Sequence, residues 1–113
     1  MLLMACGSEK GIKVGDQYAA IMEYNEAAKE YKKAYRKIPA KERAKRAEVA
    51  WKMGECYRKS NSPVFAVGAY QNAVRYGYPD SLALFHLAGA QLEKGDYKAA
   101  QKNFESFLAI APE

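Results

Sequence analysis

The sequence predicts an all-α protein in which three copies of a helix-turn-helix unit follow one another along 113 residues. Three observations predict this fold class: small residues recur at constant offsets, apolar residues recur at helical intervals, and turn-forming residues separate the segments. A chain of this length fits one small domain. Hydrophobic residues make up 50% of it and charged residues 27%, which is enough apolar material for a buried core.

The repeat is clearest in the small residues. Gly15 and Gly54 lie 39 residues apart, and Gly54 and Ala88 lie 34 apart. The same two offsets relate a second set of small residues, namely Ala27, Ala66 and Ala100. Three units, with five residues added after the first, therefore account for nearly the whole chain. We predict repeats over residues 8–41, 47–80 and 81–113.

Apolar spacing divides each repeat into two helices. Ala27, Tyr31 and Ala34 lie at i, i+4 and i+7, which is one face of a helix. The turn before Pro63 has the proline at the first position of the following helix. The pattern predicts six antiparallel helices, over residues 9–21, 24–37, 40–59, 63–76, 80–93 and 97–110. We expect the five added residues to lengthen the third helix at its front, because they lie among good helix formers.

The net charge of +5 is concentrated in one quarter of the chain, since residues 32–59 carry 11 basic and 3 acidic side chains. A solvated helix face would explain this run. The alternative is a basic surface that binds nucleic acid or anionic lipid through residues 32–59, with interleaved aromatic rings as stacking platforms. Two of those rings, Tyr31 and Tyr57, fall at helix-packing positions, which argues against nucleic acid as the partner.

The period of 34 residues resembles that of the tetratricopeptide repeat (TPR). The resemblance is strongest in the third unit, LALFHLAGAQLEKGDYKAAQKNFESFLAIAP. The resemblance covers about residue 8 to the end of the chain. It implies a solenoid whose first helix in each repeat lines a concave groove, where a protein or peptide partner binds. The expected function is therefore a non-enzymatic scaffold for protein–protein interaction.

Helical angles place one set of first-helix residues opposite the packing face. The predicted groove residues are Ile12, Lys13, Asp16, Trp51, Lys52, Glu55, Arg58, Lys59, Phe85 and His86. One column of this face carries a large apolar residue in every repeat, and the next, Lys13, Lys52 and His86, offers hydrogen-bond donors to an acidic partner. Trp51 is the expected centre of binding. The alternative is that Trp51 and Phe85 pack against the neighbouring repeat.

The first residues carry a second signal, because Leu3-Met4-Ala5-Cys6 resembles the lipobox of bacterial lipoproteins. The resemblance implies that residues 1–7 are a lipoprotein signal remnant, that Cys6 carries the lipid, and that residues 8–113 form the TPR domain. The opening is also similar to Bacteroidetes OmpA-family lipoproteins of type IX secretion, which implies a lipid anchor at the periplasmic face of the outer membrane. The alternative is an ordinary apolar terminus with a chance cysteine.

The sequence predicts no enzyme, metal site or cofactor. His86 is the one histidine, and no nucleophile and acid are spaced to form a triad with it. Gly-rich phosphate loops, HExxH and CxxC motifs are absent. No run of 18 apolar residues occurs, so the sequence predicts no membrane-spanning helix.

Overall fold

The structure is a computed structural model that describes residues 2–110, with side chains from Gly7 onward. Within this range the chain forms six α-helices and no strand, which confirms the predicted all-α fold. The helices are α1 (Leu2–Ala20), α2 (Tyr24–Arg36), α3 (Arg43–Lys59), α4 (Pro63–Arg75), α5 (Leu82–Lys94) and α6 (Tyr97–Ile110).

Extensive packing joins only helices that are adjacent in sequence. The chain is therefore a series of hairpins, α1 with α2, α3 with α4 and α5 with α6, each stacked on the next. Contact between neighbours alone is the arrangement of a helical repeat solenoid. The division at residues 8–41, 47–80 and 81–113 remains a prediction.

Four helices end in the same type of cap. Each places one residue in the left-handed region just after the helix, and the next backbone N–H donates to a carbonyl five residues earlier. The left-handed residues are Met22, Asn61, Gly77 and Gly95. This cap satisfies carbonyls that the end of a helix leaves without partners. Because the same turn follows α1, α3, α4 and α5, successive helices reverse direction in similar ways.

The junction between α2 and α3 differs, and it contains the five added residues. The Glu42 N–H donates to the Pro39 carbonyl at 3.0 Å, so a turn precedes α3. The helix therefore begins at Arg43 rather than at the predicted residue 40. It still begins five residues before the position equivalent to the start of α5, so the expected extension at its front is present.

Two arginines of this extension hold it against the neighbouring helices. Arg46 donates to the Ile38 carbonyl at 2.9 Å and to the Tyr76 hydroxyl at 2.9 Å. The Arg46 guanidinium also lies 5.0 Å from the centre of the Tyr35 ring. Arg43 donates to the Arg75 carbonyl at 2.7 Å, at the end of α4. Part of the basic run in the sequence is therefore used inside the fold.

The start of α1 also departs from the prediction, because this helix begins at Leu2 and not at residue 9. Leucine, methionine and alanine favour helix, and no proline interrupts them. Cys6 falls in the backbone of α1, but its side chain lies outside the described residues, so the proposed lipidation site is not located. In the described part of the chain, no helix is both long and apolar enough to cross a membrane.

The core consists mostly of small side chains. One cluster gathers residues of α2 and α3 around Tyr31, and the other gathers residues of α4 and α5 around Tyr70. Tyr57 packs against both clusters and links the first two repeats. Buried alanines allow the helices to approach closely, and the tyrosine rings fill the remaining space.

Candidate functional site

Two cavities lie one repeat apart, each between a hairpin and the first helix of the next repeat. The first pocket, of about 160 Å³, is lined by Ala19, Tyr24, Tyr31, Trp51, Lys52, Glu55, Cys56 and Lys59. The second pocket, of about 130 Å³, is lined by Arg58, Ser62, Pro63, Ala66, Phe85, His86, Gly89, Ala90 and Glu93. We call the side that carries both pockets the first-helix face, because α3 and α5 supply most of the lining.

The two pockets occupy the same position in successive repeats. Residues 34 apart are equivalent in these two repeats, so Trp51 corresponds to Phe85, Lys52 to His86 and Lys59 to Glu93. An aromatic ring is therefore kept while the charge at the rim changes sign. Equal placement with different chemistry means that the two pockets prefer different side chains.

In repeats one and two, a glycine of the first helix lies directly against a tyrosine ring of the second helix. A Cβ atom on Gly15 would lie 2.5 Å from Cε1 of Tyr31, and one on Gly54 would lie 2.6 Å from the Tyr70 ring. Both distances are too short for real atoms, so only glycine allows these rings to lie against the helix. The first and second helices of repeats one and two nest in this way.

Each buried tyrosine hydroxyl donates to the acid that follows the glycine. Tyr31 donates to Asp16, and Tyr70 donates to Glu55 at 2.6 Å. Burial and these acceptors raise the pKa of both phenols, which stay protonated. The two carboxylates lie at the first-helix face. The hydrogen bonds that give the buried hydroxyls an acceptor therefore also keep a negative charge on this face.

A cation completes each of these two networks. Lys52 binds Asp16 at 2.9 Å, which joins the first helices of repeats one and two. Arg58 binds Glu55 at 2.8 Å and donates to the Tyr70 hydroxyl at 3.1 Å. Burial opposes ionisation of Glu55, but its hydrogen bonds with Arg58 and Tyr70 outweigh burial and lower its pKa.

Trp51 is half-buried and packs on three aromatic rings. It stacks on Tyr78 with ring centres 4.8 Å apart, and it lies 5.6 Å from Tyr70 and 5.8 Å from His86. Tyr70 and Tyr78 belong to the same repeat as Trp51 and His86 belongs to the next, so Trp51 packs both within its own repeat and against the neighbouring one. One part of the residue still lines the first pocket, so it is both a packing residue and a pocket wall.

The predicted donor column is not uniformly cationic. Lys13 is exposed, whereas Lys52 binds Asp16. Burial, and secondly the charge of Arg58, lower the pKa of His86, so its imidazole is neutral at pH 7. His86 also packs between rings, with Tyr70 5.8 Å and Phe85 5.5 Å away. In this column, burial therefore leaves the imidazole of His86 uncharged, and the ion pair with Asp16 compensates the charge of Lys52.

The apolar column of the predicted groove consists of Ile12, Trp51 and Phe85, and these three side chains differ in how much of their surface is packed. Ile12 is half-buried against the first core cluster, away from both pockets. Phe85 keeps 41% of its surface exposed at the second pocket, while its ring contacts Phe104 and Phe107. Lys59 is exposed over the Tyr24 ring at 5.4 Å. Phe85 and Lys59 are therefore predicted groove residues that line a pocket and stay exposed.

Tyr24 and Tyr78 are two aromatic residues of the site that were not predicted from the sequence. Tyr24 lines the first pocket, and its equivalent in the next repeat is Pro63, which lines the second pocket. The repeat offset was the signal that could have found Tyr24. Tyr78 stacks on Trp51 from the turn after α4, and no local pattern marks that contact.

The basic run is dispersed over the molecule. Lys33, Lys45, Lys52 and Arg58 form ion pairs with nearby acids. The rings proposed as stacking platforms are buried or half-buried, and Tyr31 is only 3% exposed. Neither observation favours a nucleic-acid surface along residues 32–59.

No group of histidine, cysteine, aspartate or glutamate side chains among the described residues could hold a metal ion. Burial raises the pKa of the Cys56 thiol to about 11, so it is an inert core residue at neutral pH.

Comparison with known proteins agrees with this architecture. Residues 82–113 match the family model described as tetratricopeptide repeat. The crystal structure of the TPR domain of Arabidopsis FLU superposes with a TM-score of 0.80 and 17% sequence identity, over 94% of this chain and 95% of that one. This chain has a TPR fold. No curated protein sequence matches it.

Proposed function

We propose that the chain is a non-enzymatic TPR scaffold that binds a segment of another protein along the first-helix face. The pair of equivalent pockets carries this proposal. Each combines an aromatic wall, Trp51 or Phe85, with a charged rim. A segment with two apolar side chains can place one in each pocket, so two modest contacts act together.

The rims define the chemistry of that segment. Lys59 is exposed at the first pocket and has no carboxylate partner among the described residues, whereas Glu93 lines the second. Lys52 and Arg58 already bind acids within the chain. The partner should therefore carry a carboxylate beside its first apolar anchor and a cation beside its second.

A charge exchange tests the proposal. Peptides are selected from a displayed random library against the intact domain, and their affinities are measured with wild type and with Lys59→Glu. We expect the substitution to weaken binding about tenfold, because a rim ion pair becomes a like-charge contact. Replacing the carboxylate of the peptide with lysine should then restore binding. Lys98→Glu makes the same charge change on exposed α6 and should leave affinity unchanged.

The location of binding is measured separately through backbone amide chemical shifts. Shifts around Trp51, Lys59 and Phe85 support the proposal. Selected peptides that shift only amides outside these pockets, or that bind Lys59→Glu and Lys98→Glu equally, would contradict it.

We further propose that this module belongs to an outer-membrane-anchored lipoprotein of a cell-envelope or secretion assembly. Support comes from the Leu3-Met4-Ala5-Cys6 sequence and from the similarity of the opening segment to Bacteroidetes OmpA-family and type IX secretion lipoproteins. The protein would be held at the periplasmic face by acyl chains on Cys6, since several chains together give stable anchoring.

Membrane fractionation in the native bacterium tests the anchor. We expect the native gene product to sediment with outer membranes and its mass to include the lipid, and Cys6→Ser to release it unmodified. Cys56→Ser is the control, because that thiol is buried. A native protein that stays soluble or lacks a lipid on Cys6 would rule the anchor out.

A further inference from the structure

A larger cavity lies between α2 and α4. We call it the α2–α4 groove and define it by Glu26, Lys29 and Lys32 of α2, Tyr57 of α3 and Phe65 of α4. Its volume is about 440 Å³, within the range of small-ligand and anchor sites. It shares no lining residue with the first pocket and only Ser62 with the second. The groove is thus a separate surface.

The apolar part of this groove is open to solvent. Phe65 is 63% exposed and its neighbour Val64 is 61% exposed. The Phe65 ring lies 5.5 Å from that of Tyr57, so the two rings form one aromatic wall. This exposed aromatic wall beside the cavity offers a site for an apolar side chain of another molecule.

The opposite wall is cationic. Lys29 and Lys32 are one helical turn apart on α2, a rise of about 4.5 Å. Lys29 binds Glu26 at 3.3 Å, and both side chains are largely exposed. Lys32 is exposed and has no carboxylate within ion-pair distance among the described residues. An incoming carboxylate would pair with Lys32 directly and would compete with Glu26 for Lys29.

The next repeat shows that the fold does not require these side chains. In the next repeat, Gly68 corresponds to Lys29 and Gln71 corresponds to Lys32. In the same way, Tyr57 corresponds to Gln91 in α5, and Phe65 corresponds to Ala99 in α6. The same solenoid geometry is therefore built without cations or aromatic rings at these positions. The repeat geometry by itself therefore does not require two lysines and an exposed phenylalanine at these positions.

We propose that the α2–α4 groove binds an acidic amphipathic helix of a second protein. One large apolar side chain of that helix enters beside Phe65 and Tyr57, and carboxylates three or four residues apart pair with Lys32 and Lys29. The spacing of the two lysines along α2 matches the spacing of such carboxylates along a bound helix. Charge complementarity selects this occupant over a basic segment.

The probe is the blocked, fluorescein-labelled peptide EELLEEFLEELLEE, titrated against the intact domain by fluorescence anisotropy. We expect Phe65→Ala to weaken binding about tenfold, as loss of an aromatic anchor does. Lys32→Gln should weaken it about two- to fivefold, the range for an exposed ion pair. Both variants copy residue types that the next repeat carries, so the fold should be retained, and circular dichroism checks this. Lys98→Gln removes a cation from α6 and should change nothing.

Glu26→Gln provides a variant with the opposite expected effect. It removes the carboxylate that competes for Lys29 and should tighten binding about twofold, because the displaced pair is exposed and weak. Amide chemical shifts should change at Lys32 and Phe65. Shifts confined to the first-helix pockets would overturn the proposal, as would equal binding of a peptide with glutamine for every glutamate or with serine for its phenylalanine.

Discussion

Repeats one and two differ from repeat three at the same structural positions. In the first two, a buried tyrosine hydroxyl donates to an acid on the paired helix, Tyr31 to Asp16 and Tyr70 to Glu55. In the third, the equivalent residues are Phe104 and Gly89. The acid and the hydroxyl are lost together. The joint loss agrees with the rule that a buried hydroxyl without a partner costs stability.

The loss changes the surface as well as the core. Phe104 packs edge-on against Phe85 with ring centres 5.6 Å apart, and Phe107 joins them at 5.2 Å from Phe85. Beyond this cluster, Leu108 is 72% exposed and Ile110 is 60% exposed. Where the two helices of a repeat meet, the first two repeats thus have a polar, ion-paired network, and the third has a cluster of phenylalanine rings. A single repeat geometry supports both, because the nesting of helices does not depend on the side chains at the face.

The largest expected effect is on the close contact that repeats one and two share. Gly54→Ala should lower the free energy of unfolding by about 1–3 kcal/mol, because its methyl group would overlap the Tyr70 ring. Urea denaturation measures the change. Gly68→Ala is the matched control, since nothing lies within 4 Å of a Cβ there. It should stabilise by roughly 0.5–1 kcal/mol. Equal effects of the two substitutions would mean that the nesting of Gly54 is unimportant.

The next effect concerns the hydroxyl itself. Tyr70→Phe should destabilise by about 1–2 kcal/mol, because Glu55 loses a charged hydrogen bond while it keeps Arg58. The pKa of Glu55 should rise at the same time, since Tyr70 no longer lowers it. Thermal unfolding and carboxyl titration by nuclear magnetic resonance measure the two quantities. An unchanged Glu55 pKa would argue against this network.

A transplant sharpens the comparison. Gly89→Asp with Phe104→Tyr should introduce the acid–tyrosine pair into repeat three, where a Cβ on Gly89 meets nothing within 4 Å. The two substitutions should couple favourably by about 0.5–1 kcal/mol in a double-mutant cycle. Each single variant is a control. Strict additivity would show that the third repeat does not place these positions as the first two do.

The smallest effect is a pH dependence at the junction of repeats two and three. Burial and the charge of Arg58 lower the pKa of His86, although Glu55 and Asp80 oppose the shift. Below its ordinary pKa of 6.5 the unfolded chain takes up a proton that the folded chain resists. Stability is therefore fully present above pH 6.5 and decreases as the pH falls through the lowered pKa. His86→Gln should reduce this dependence in unfolding curves at pH 7.5 and 5.5, and an unchanged slope would contradict the assignment.

Much of the fold was predictable because its determinants are local. The small residue at Gly54 and the ring at Tyr70 recur at constant offsets, and helical periodicity assigns them to facing helices. Pro63 is at the first position of α4, as predicted. The start of α1 was predicted too late, because its lipobox-like segment also has helical propensity, and the start of α3 too early, because a turn follows Pro39. The predicted groove residues lie on α1, α3 and α5, the first helices of the three repeats, and their role in binding stays a prediction.

The sequence by itself determined the repeat, its helices and the positions where glycine must meet a ring, since these depend on spacing along one chain. Tertiary structure alone decided how the face is charged and which rings are free. Lys52 meets Asp16 from 36 residues away, Tyr78 covers one side of Trp51, and His86 is packed among rings that keep it neutral. Ion pairing, stacking and desolvation all depend on distances across repeats, which no local pattern encodes.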